Sequence, residues 1–203
     1  MSTTNTKAAE LAGVATTWAI DSAHSSVDFS VRHLIIATVK GAFQRFEGTI
    51  WWDGEHLESA SVETRIETQG ITTHNQLRDD HLRSADFLHA EKWPVITFKS
   101  TRIEPTGRHQ FMIHGDLTIR DNTRPAALAA EYLGQIRDGE GMQRAAFTGM
   151  TSIDRKEFGI NWNQRLESGG VVVGDTVKVT LYISAVRQNE ATHNARRRPE
   201  LSG

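Results

Sequence analysis

The chain has 203 residues, of which 38% are hydrophobic and 24% are charged, and this is enough to bury the core of one soluble domain. Its 23 lysines and arginines nearly balance 25 aspartates and glutamates, so the bulk charge does not favour nucleic acid or an anionic surface as the partner. The absence of cysteine excludes disulfides, thiolate metal sites and a cysteine nucleophile.

The ends of the chain differ from the middle. Residues 1–16 are small and polar without a period, which predicts a flexible segment before a folded domain at residues 17–187. Residues 188–203 predict a flexible basic tail, to which we assign no role. The first residues lack a long apolar run, so we expect no secretory signal and a cytoplasmic protein. No segment reaches the roughly 18 consecutive apolar residues that an integral membrane helix needs.

The folded region begins with alternating residues, which is typical of strands with one buried face. In Ser26–His33, the apolar residues Val27, Phe29 and Val31 share one face and polar residues share the other. The next predicted strands are Gly41–Trp52 and Ser61–Glu67.

The segment Thr73–Phe87 breaks this alternation and predicts a short amphipathic helix. Thr73 and Gln76 have the spacing of a capping box at its start. A narrow apolar stripe follows, formed by Leu77, Leu82 and Ala85. Pro94 cannot continue a helix and starts the next extended segment. We expect this helix to cover one opening of the fold.

Alternation resumes after the helix. The predicted strands are Val95–Ile103, Gln110–Ile119, Arg124–Leu133, Arg144–Ile153 and Thr176–Ala185. The total of about eight strands, with short connections and no helices between most of them, predicts antiparallel pairing. Eight strands can close into an up-and-down barrel without exposed edges, and such a barrel is wide enough for one slender ligand.

Five blocks spread along the folded region carry a resemblance to a known family. They are Trp18–Leu34; Val39–Phe43 with Phe46–Gly48; Leu77–Phe87 with Trp93–Thr101; Gly115–Arg120 with Thr123–Pro125; and Ile153–Arg155 with Phe158–Ile160 before Gly174–Asp175. In their order and spacing these blocks resemble the YceI family of lipocalin-like proteins.

The resemblance implies an all-β fold, an eight-stranded antiparallel lipocalin-like barrel with a short helix over one opening. It implies a pore that holds one long polyisoprenoid, such as a polyprenyl phosphate or an isoprenoid quinone, or a fatty-acid derivative. The protein is then expected to be a non-catalytic carrier that sequesters or transfers this lipid without any required cofactor, and a homodimer becomes plausible. Many relatives carry a secretory leader; we expect none here, and we therefore expect the lipid to come from a cytoplasmic pool.

On this view the tunnel is lined by apolar residues at inward positions. The expected residues are Phe29, Val31, Phe43, Phe46, Phe98, Phe111, Ile113, Phe158 and Trp162. By pattern alone the same residues form an ordinary packed core, so the tunnel rests on the resemblance.

The predicted helix also concentrates charge near one opening. We expect a lid built with Leu77, Leu82 and Phe87, and a head-group site of Arg78, His81 and Arg155 that meets a phosphate or a quinone oxygen. The alternative is a solvated helix face on which Asp79 and Arg83 form an ion pair four residues apart.

Two other classes of function remain open. The first is an enzyme that modifies an isoprenoid-like or fatty-acyl substrate with His81 or His33 as general base. The second is a ligand-free dimeric interaction domain with a packed interior. The nine histidines have no recognised metal-ligand spacing, so no metal site is predicted. Phosphate loops, dinucleotide fingerprints and nucleophile elbows do not occur in the sequence.

Overall fold

A computed structural model describes residues 16–34, 36–164 and 172–188. The predictions for residues 1–15 and for the basic tail at residues 189–203 lie outside the described residues. Within them the chain forms eleven strands and one α-helix. The strands are β1 (Thr16–Ile20), β2 (Ser26–His33), β3 (Ala37–Phe43), β4 (Phe46–Trp52), β5 (Ser61–Glu67), β6 (Ile71–Thr72), β7 (Val95–Gly107), β8 (Gln110–Ile119), β9 (Asn122–Arg137), β10 (Gln143–Asp154) and β11 (Val173–Arg187), and the helix is α1 (Gln76–Arg83).

The strands form a closed antiparallel barrel of eight members. The ring runs β1, β4, β5, β7, β8, β9, β10 and β11, and β11 closes it by pairing with β1 from Trp18↔Arg187 to Ile20↔Ala185. The other three strands continue members of this ring. Like β1, β2 pairs with β11, further along that strand. β3 then pairs with β2, and β6 pairs with β3. β1 and β2 are thus two halves of one bent strand, as are β3 and β4, and β5 and β6. The predicted fold class, an eight-stranded antiparallel barrel, is confirmed.

The expectation of one strand over Gly41–Trp52 is wrong, because the chain bends at Gln44 and Arg45. The amide of Gln44 donates to the carbonyl of Gly70 at 2.9 Å, and the carbonyl of Arg45 accepts from the amide of Glu67 at 2.9 Å. The backbone groups of Gln44 and Arg45, between β3 and β4, are thus hydrogen-bonded to the two ends of the turn Thr68–Gly70. The bend depends on contacts that are distant in sequence, so the local pattern did not indicate it.

Helix α1 (Gln76–Arg83) is shorter than the predicted segment Thr73–Phe87, and its cap lies two residues after the cap of the predicted capping box. Its cap is Asn75, whose Oδ1 accepts from the amide of Arg78 at 3.1 Å. Thr73 is not the cap, because its hydroxyl donates to Asp79 Oδ1 at 2.5 Å. The predicted apolar stripe is also wrong at Leu77, which is 85% exposed, and at Ala85, which is exposed and lies beyond the end of the helix. Of the stripe, only Leu82 packs against the core.

The predicted ion pair between Asp79 and Arg83 is replaced by two other arrangements. Asp79 is buried and accepts hydrogen bonds from Thr72 and Thr73. Arg83 instead contacts Asp80 Oδ1 at 3.1 Å and donates to the carbonyl of Ile71 at 2.7 Å. These bonds attach the helix to the end of β6.

Two apolar clusters lie at opposite ends of the barrel. The first closes the end where β1 and β11 meet, and it contains Trp18, Trp52, Leu57, Ala145 and Ala185. Trp18 and Trp52 have ring centroids 5.3 Å apart, and Tyr132 and Phe147 pack edge-on against Trp52. The second cluster lies at the helix end and contains Ile71, Phe87, Leu88, Ile96, Ile119, Phe158 and Ile160.

Candidate functional site

An apolar cavity of about 310 Å³ occupies the barrel interior and is bordered by residues of both end clusters. All eleven strands contribute side chains to it. Alternation supplies these residues, because every second position of a strand faces inward. On β11, for example, the lining residues are Val177, Val179, Leu181 and Ile183. The volume falls in the range of small-molecule sites.

Seven of the nine expected tunnel residues line this cavity. They are Phe29, Val31, Phe43, Phe46, Phe98, Phe111 and Ile113. The structure places the other two elsewhere, which corrects the expectation. Phe158 is 1% exposed and is packed within the helix-end cluster. Trp162 packs against the rings of Phe87 and His81 at centroid distances of 5.3 and 4.6 Å.

Two of the phenylalanines place the tips of their rings over glycines of neighbouring strands. A Cβ on Gly41 would stand 2.4 Å from Cζ of Phe29, and a Cβ on Gly115 would stand 2.5 Å from Cζ of Phe98. The missing side chains let these rings approach the wall closely. The interior therefore keeps space that inward-standing rings would fill.

The barrel wall is incompletely paired between β9 and β10. Their ladder extends from Gln143↔Arg137 to Met150↔Ala129, and beyond it Thr151 Oγ1 donates to the carbonyl of Ala127 at 2.8 Å. Pro125, which has no amide hydrogen, pairs with Asp116 of β8 but lies in the stretch of β9 that has no partner on β10, where the loss of a donor is tolerated. Ala126, Ala127, Thr151 and Ile153 on the two sides of this gap line the cavity.

Arg155 lines the cavity but has no donor left for a head group. Its Nε donates to the carbonyl of Gly174 at 2.9 Å, and its Nη1 donates to the carbonyls of Ile160 and Trp162 at 2.7 and 2.9 Å. Its Nη2 donates to the Val173 carbonyl and to Asp175, each at 3.3 Å. A guanidinium has five N–H groups, and all five are engaged. Burial lowers the pKa of Arg155, and nearby carboxylates oppose that shift.

The other expected lid and head-group residues divide into two sets. Leu82 and Phe87 line the cavity. Leu77, Arg78 and His81 do not. Arg78 donates from Nε to Thr73 Oγ1 at 2.7 Å, and His81 Nε2 lies 2.9 Å from Asp86 Oδ2. The predicted phosphate site of Arg78, His81 and Arg155 is therefore not assembled, because each side chain is held by its own protein partner.

The cavity holds none of the groups that acid–base chemistry needs. No histidine of the described residues lines it, and neither His33 nor His81 is in contact with it. Of the charged lining residues, Glu47 extends outward with a 76% exposed side chain, and Glu131 is exposed at an outward position of β9. Within the described chain, no group of three histidines or carboxylates is placed to hold a metal ion.

Together these features define an eight-stranded antiparallel barrel with a ligand-sized apolar interior. A family model described as the YceI-like domain matches residues 18–185, and the chain belongs to this family. A UPF0312 protein of Vibrio cholerae is 39% identical over 138 residues, which is 68% of this chain and 73% of that relative.

Solved structures show the same fold. BcnA of Burkholderia cenocepacia superposes with a TM-score of 0.72 at 20% identity, over 81% of this chain and 98% of that one. A polyisoprenoid binding domain from Saccharophagus degradans superposes with a TM-score of 0.62 at 13% identity, over 86% of this chain and 99% of that one. Among the described residues, no helix is long and apolar enough to cross a bilayer.

Proposed function

We propose that the protein is a non-catalytic lipid carrier that sequesters or transfers one long-chain polyisoprenoid in the barrel interior. The observation that carries the proposal is the cavity, which every strand lines with apolar side chains and into which no free charged group projects. Each methylene that leaves water for such an interior gains about 0.8 kcal/mol. A long hydrocarbon chain is therefore bound mainly through its tail.

Two observations favour a polyisoprenoid as the ligand. A polyprenyl phosphate or an isoprenoid quinone combines a long apolar chain with one polar end, which suits an apolar cavity that reaches both end clusters. The polyisoprenoid binding domain from Saccharophagus degradans has the same fold. A fatty-acyl chain can make the same apolar contacts with the cavity wall and is therefore the alternative ligand.

A carrier accounts for the interior better than the two alternatives do. The enzyme alternative requires His81 or His33 as a general base near the substrate. Neither residue lines the cavity, and His81 is held by Asp86. A ligand-free interaction domain requires a filled interior, which a cavity of about 310 Å³ does not match. The cytoplasmic location and the homodimer stay predictions, to be tested by cell fractionation and by light scattering.

Native mass spectrometry of gently purified protein tests the proposal. We expect a bound hydrophobic mass of one polyisoprenoid per chain. An interior that is empty in protein from the native host would contradict it. Incubation with polyprenyl phosphates and quinones, followed by product analysis, tests the non-catalytic part, and turnover that His81→Ala abolishes would overturn it.

A further inference from the structure

Exposed aliphatic side chains mark the helix end of the barrel. Ile36 is 87% exposed, and Leu34 is 38% exposed in the same turn between β2 and β3. Leu77, at the start of α1, is exposed to a similar degree. Leu34 also has a φ of 51°, a left-handed conformation that is unfavourable for leucine. A bulky aliphatic residue at such a turn does not stabilise the isolated barrel, which points to a role at the surface.

The topology brings these residues to one end. β3 leads away from the turn that holds Leu34 and Ile36, and β6 is antiparallel to β3 through Ala42↔Thr72. β6 therefore runs back toward the turn, and α1 with Leu77 follows it directly. The same end carries Leu82 and Phe87, which line the cavity.

Three basic residues lie on the outer wall next to this turn. Val31 faces the cavity, so its neighbours Ser30 and Arg32 face outward. Lys40 on β3 and Lys178 on β11 flank Ser30 in register, about 10 Å apart across two strand spacings. Arg32, Lys40 and Lys178 are exposed, and none forms an ion pair with another residue that the structure describes.

We propose that this end of the barrel docks on an anionic lipid bilayer. Leu34, Ile36 and Leu77 enter the boundary between head groups and acyl chains, and the three basic residues contact the anionic head groups. The net charge of −2 does not oppose this contact, because a local patch acts within a screening length of about 10 Å. The inference rests on the proposed function, because a carrier that transfers lipid has to exchange it with a membrane near the opening of its cavity.

Co-sedimentation of the full chain with vesicles tests the proposal. The vesicles are phosphatidylcholine alone and phosphatidylcholine mixed with phosphatidylglycerol. We expect binding to the anionic vesicles that salt weakens. Ile36→Ser and Leu77→Ser should each reduce the partition coefficient about tenfold. Lys40→Gln and Lys178→Gln should each reduce it about fivefold on anionic vesicles and change little on neutral ones.

Ile136→Ser is the matched control. Ile136 is 66% exposed and pairs with Arg144 at the opposite end of the barrel, so its replacement should leave vesicle binding unchanged. Absence of binding to both vesicle types, or an equal loss with Ile136→Ser and Ile36→Ser, would overturn the docking surface. Vesicle binding that occurs only after a protein partner is added would also overturn it.

Native mass spectrometry on the same samples separates this inference from the proposed function. Variants that lose vesicle binding but keep a bound lipid support the docking surface. Wild-type protein that carries lipid without binding vesicles overturns the docking surface alone. Wild-type protein that binds anionic vesicles with an empty interior retains the docking surface and overturns the proposed function.

Discussion

The carboxylate of Asp79 accepts two hydrogen bonds from Thr73, one from the backbone amide at 2.8 Å and one from the hydroxyl at 2.5 Å. Thr72 adds a third at 3.1 Å. Burial by itself raises the pKa of Asp79, but these hydrogen bonds outweigh it and the pKa is lowered. The contact attaches α1, the cover of the cavity, to β6.

Asp79→Asn is therefore expected to destabilise the fold by about 2 kcal/mol at neutral pH, because an amide replaces a charged acceptor. A group whose pKa is lowered by folding stabilises above its unfolded value, and this contribution disappears as the pH falls through the folded value. The loss caused by Asp79→Asn should thus shrink below about pH 4. Urea denaturation at several pH values measures it.

The neighbouring carboxylate provides the control for this prediction. Asp80 has a 58% exposed side chain and pairs with Arg83 at the surface. Asp80→Asn should cost less than about 1 kcal/mol at any pH. Equal effects of the two variants would contradict a special role for Asp79.

Arg155 should be a structural clamp rather than a ligand-binding residue. Arg155→Lys leaves several of its carbonyl acceptors unsatisfied, since an ammonium cannot reproduce the planar fork. We expect a loss of about 3 kcal/mol in the free energy of unfolding. Lys156→Gln, which removes only the half-exposed contact with Asp175, should have little effect. An Arg155 variant of unchanged stability but lower affinity for polyprenyl phosphate would instead support the head-group role.

The two tryptophans of the opposite end should respond differently to the same substitution. Trp18 Nε1 donates to the carbonyl of Trp52 at 3.3 Å, whereas Trp52 Nε1 is buried without a partner among the described residues. Both Trp→Phe variants lose similar volume, but Trp18→Phe also removes a hydrogen bond that is made in the folded protein, while the Trp52 carbonyl keeps its bond from Thr16 Oγ1 at 2.8 Å. Trp52→Phe removes only an N–H group that has no such bond. Trp18→Phe should be the more destabilising by about 1 kcal/mol in thermal denaturation. The reverse order would contradict this assignment of the two N–H groups.

The barrel itself was predictable from the sequence because alternation is a local property. The bounds of β2, β5 and β8 agree with the predicted strands. The break between β3 and β4 was not predictable, since it depends on hydrogen bonds to Glu67 and Gly70. At the start of α1, both Thr73 and Asn75 are suitable caps, and the burial of Asp79 decides between them.

The cavity is the feature that alternation cannot establish. Inward apolar residues predict a buried face, but not whether opposing side chains meet across the barrel. That outcome depends on cross-strand neighbours such as Phe29 over Gly41 and Phe98 over Gly115. The head-group site was wrongly predicted for a similar reason. The sequence shows that Arg78 and His81 carry polar groups near one opening, but not that Thr73 and Asp86 already bind them.

Two adjacent alanines allow the most direct test of a lipid-filled interior. Ala130 lines the cavity between Phe111 on β8 and Gly149 on β10. Ala129 precedes it on the same strand, faces outward and is exposed. Ala130→Phe should fill the cavity, whereas Ala129→Phe adds the same ring to the outer wall. Ala130→Leu provides a smaller step if the phenylalanine variant is unstable, and thermal denaturation checks that each variant is folded.

The decisive measurement is the amount of lipid that mass spectrometry detects after extraction of each protein purified from the native host. We expect about one polyisoprenoid per chain from the wild type and from Ala129→Phe, and a strong loss from folded Ala130→Phe. An absence of lipid in the wild type, or equal lipid in the two phenylalanine variants, would contradict a ligand held inside the barrel.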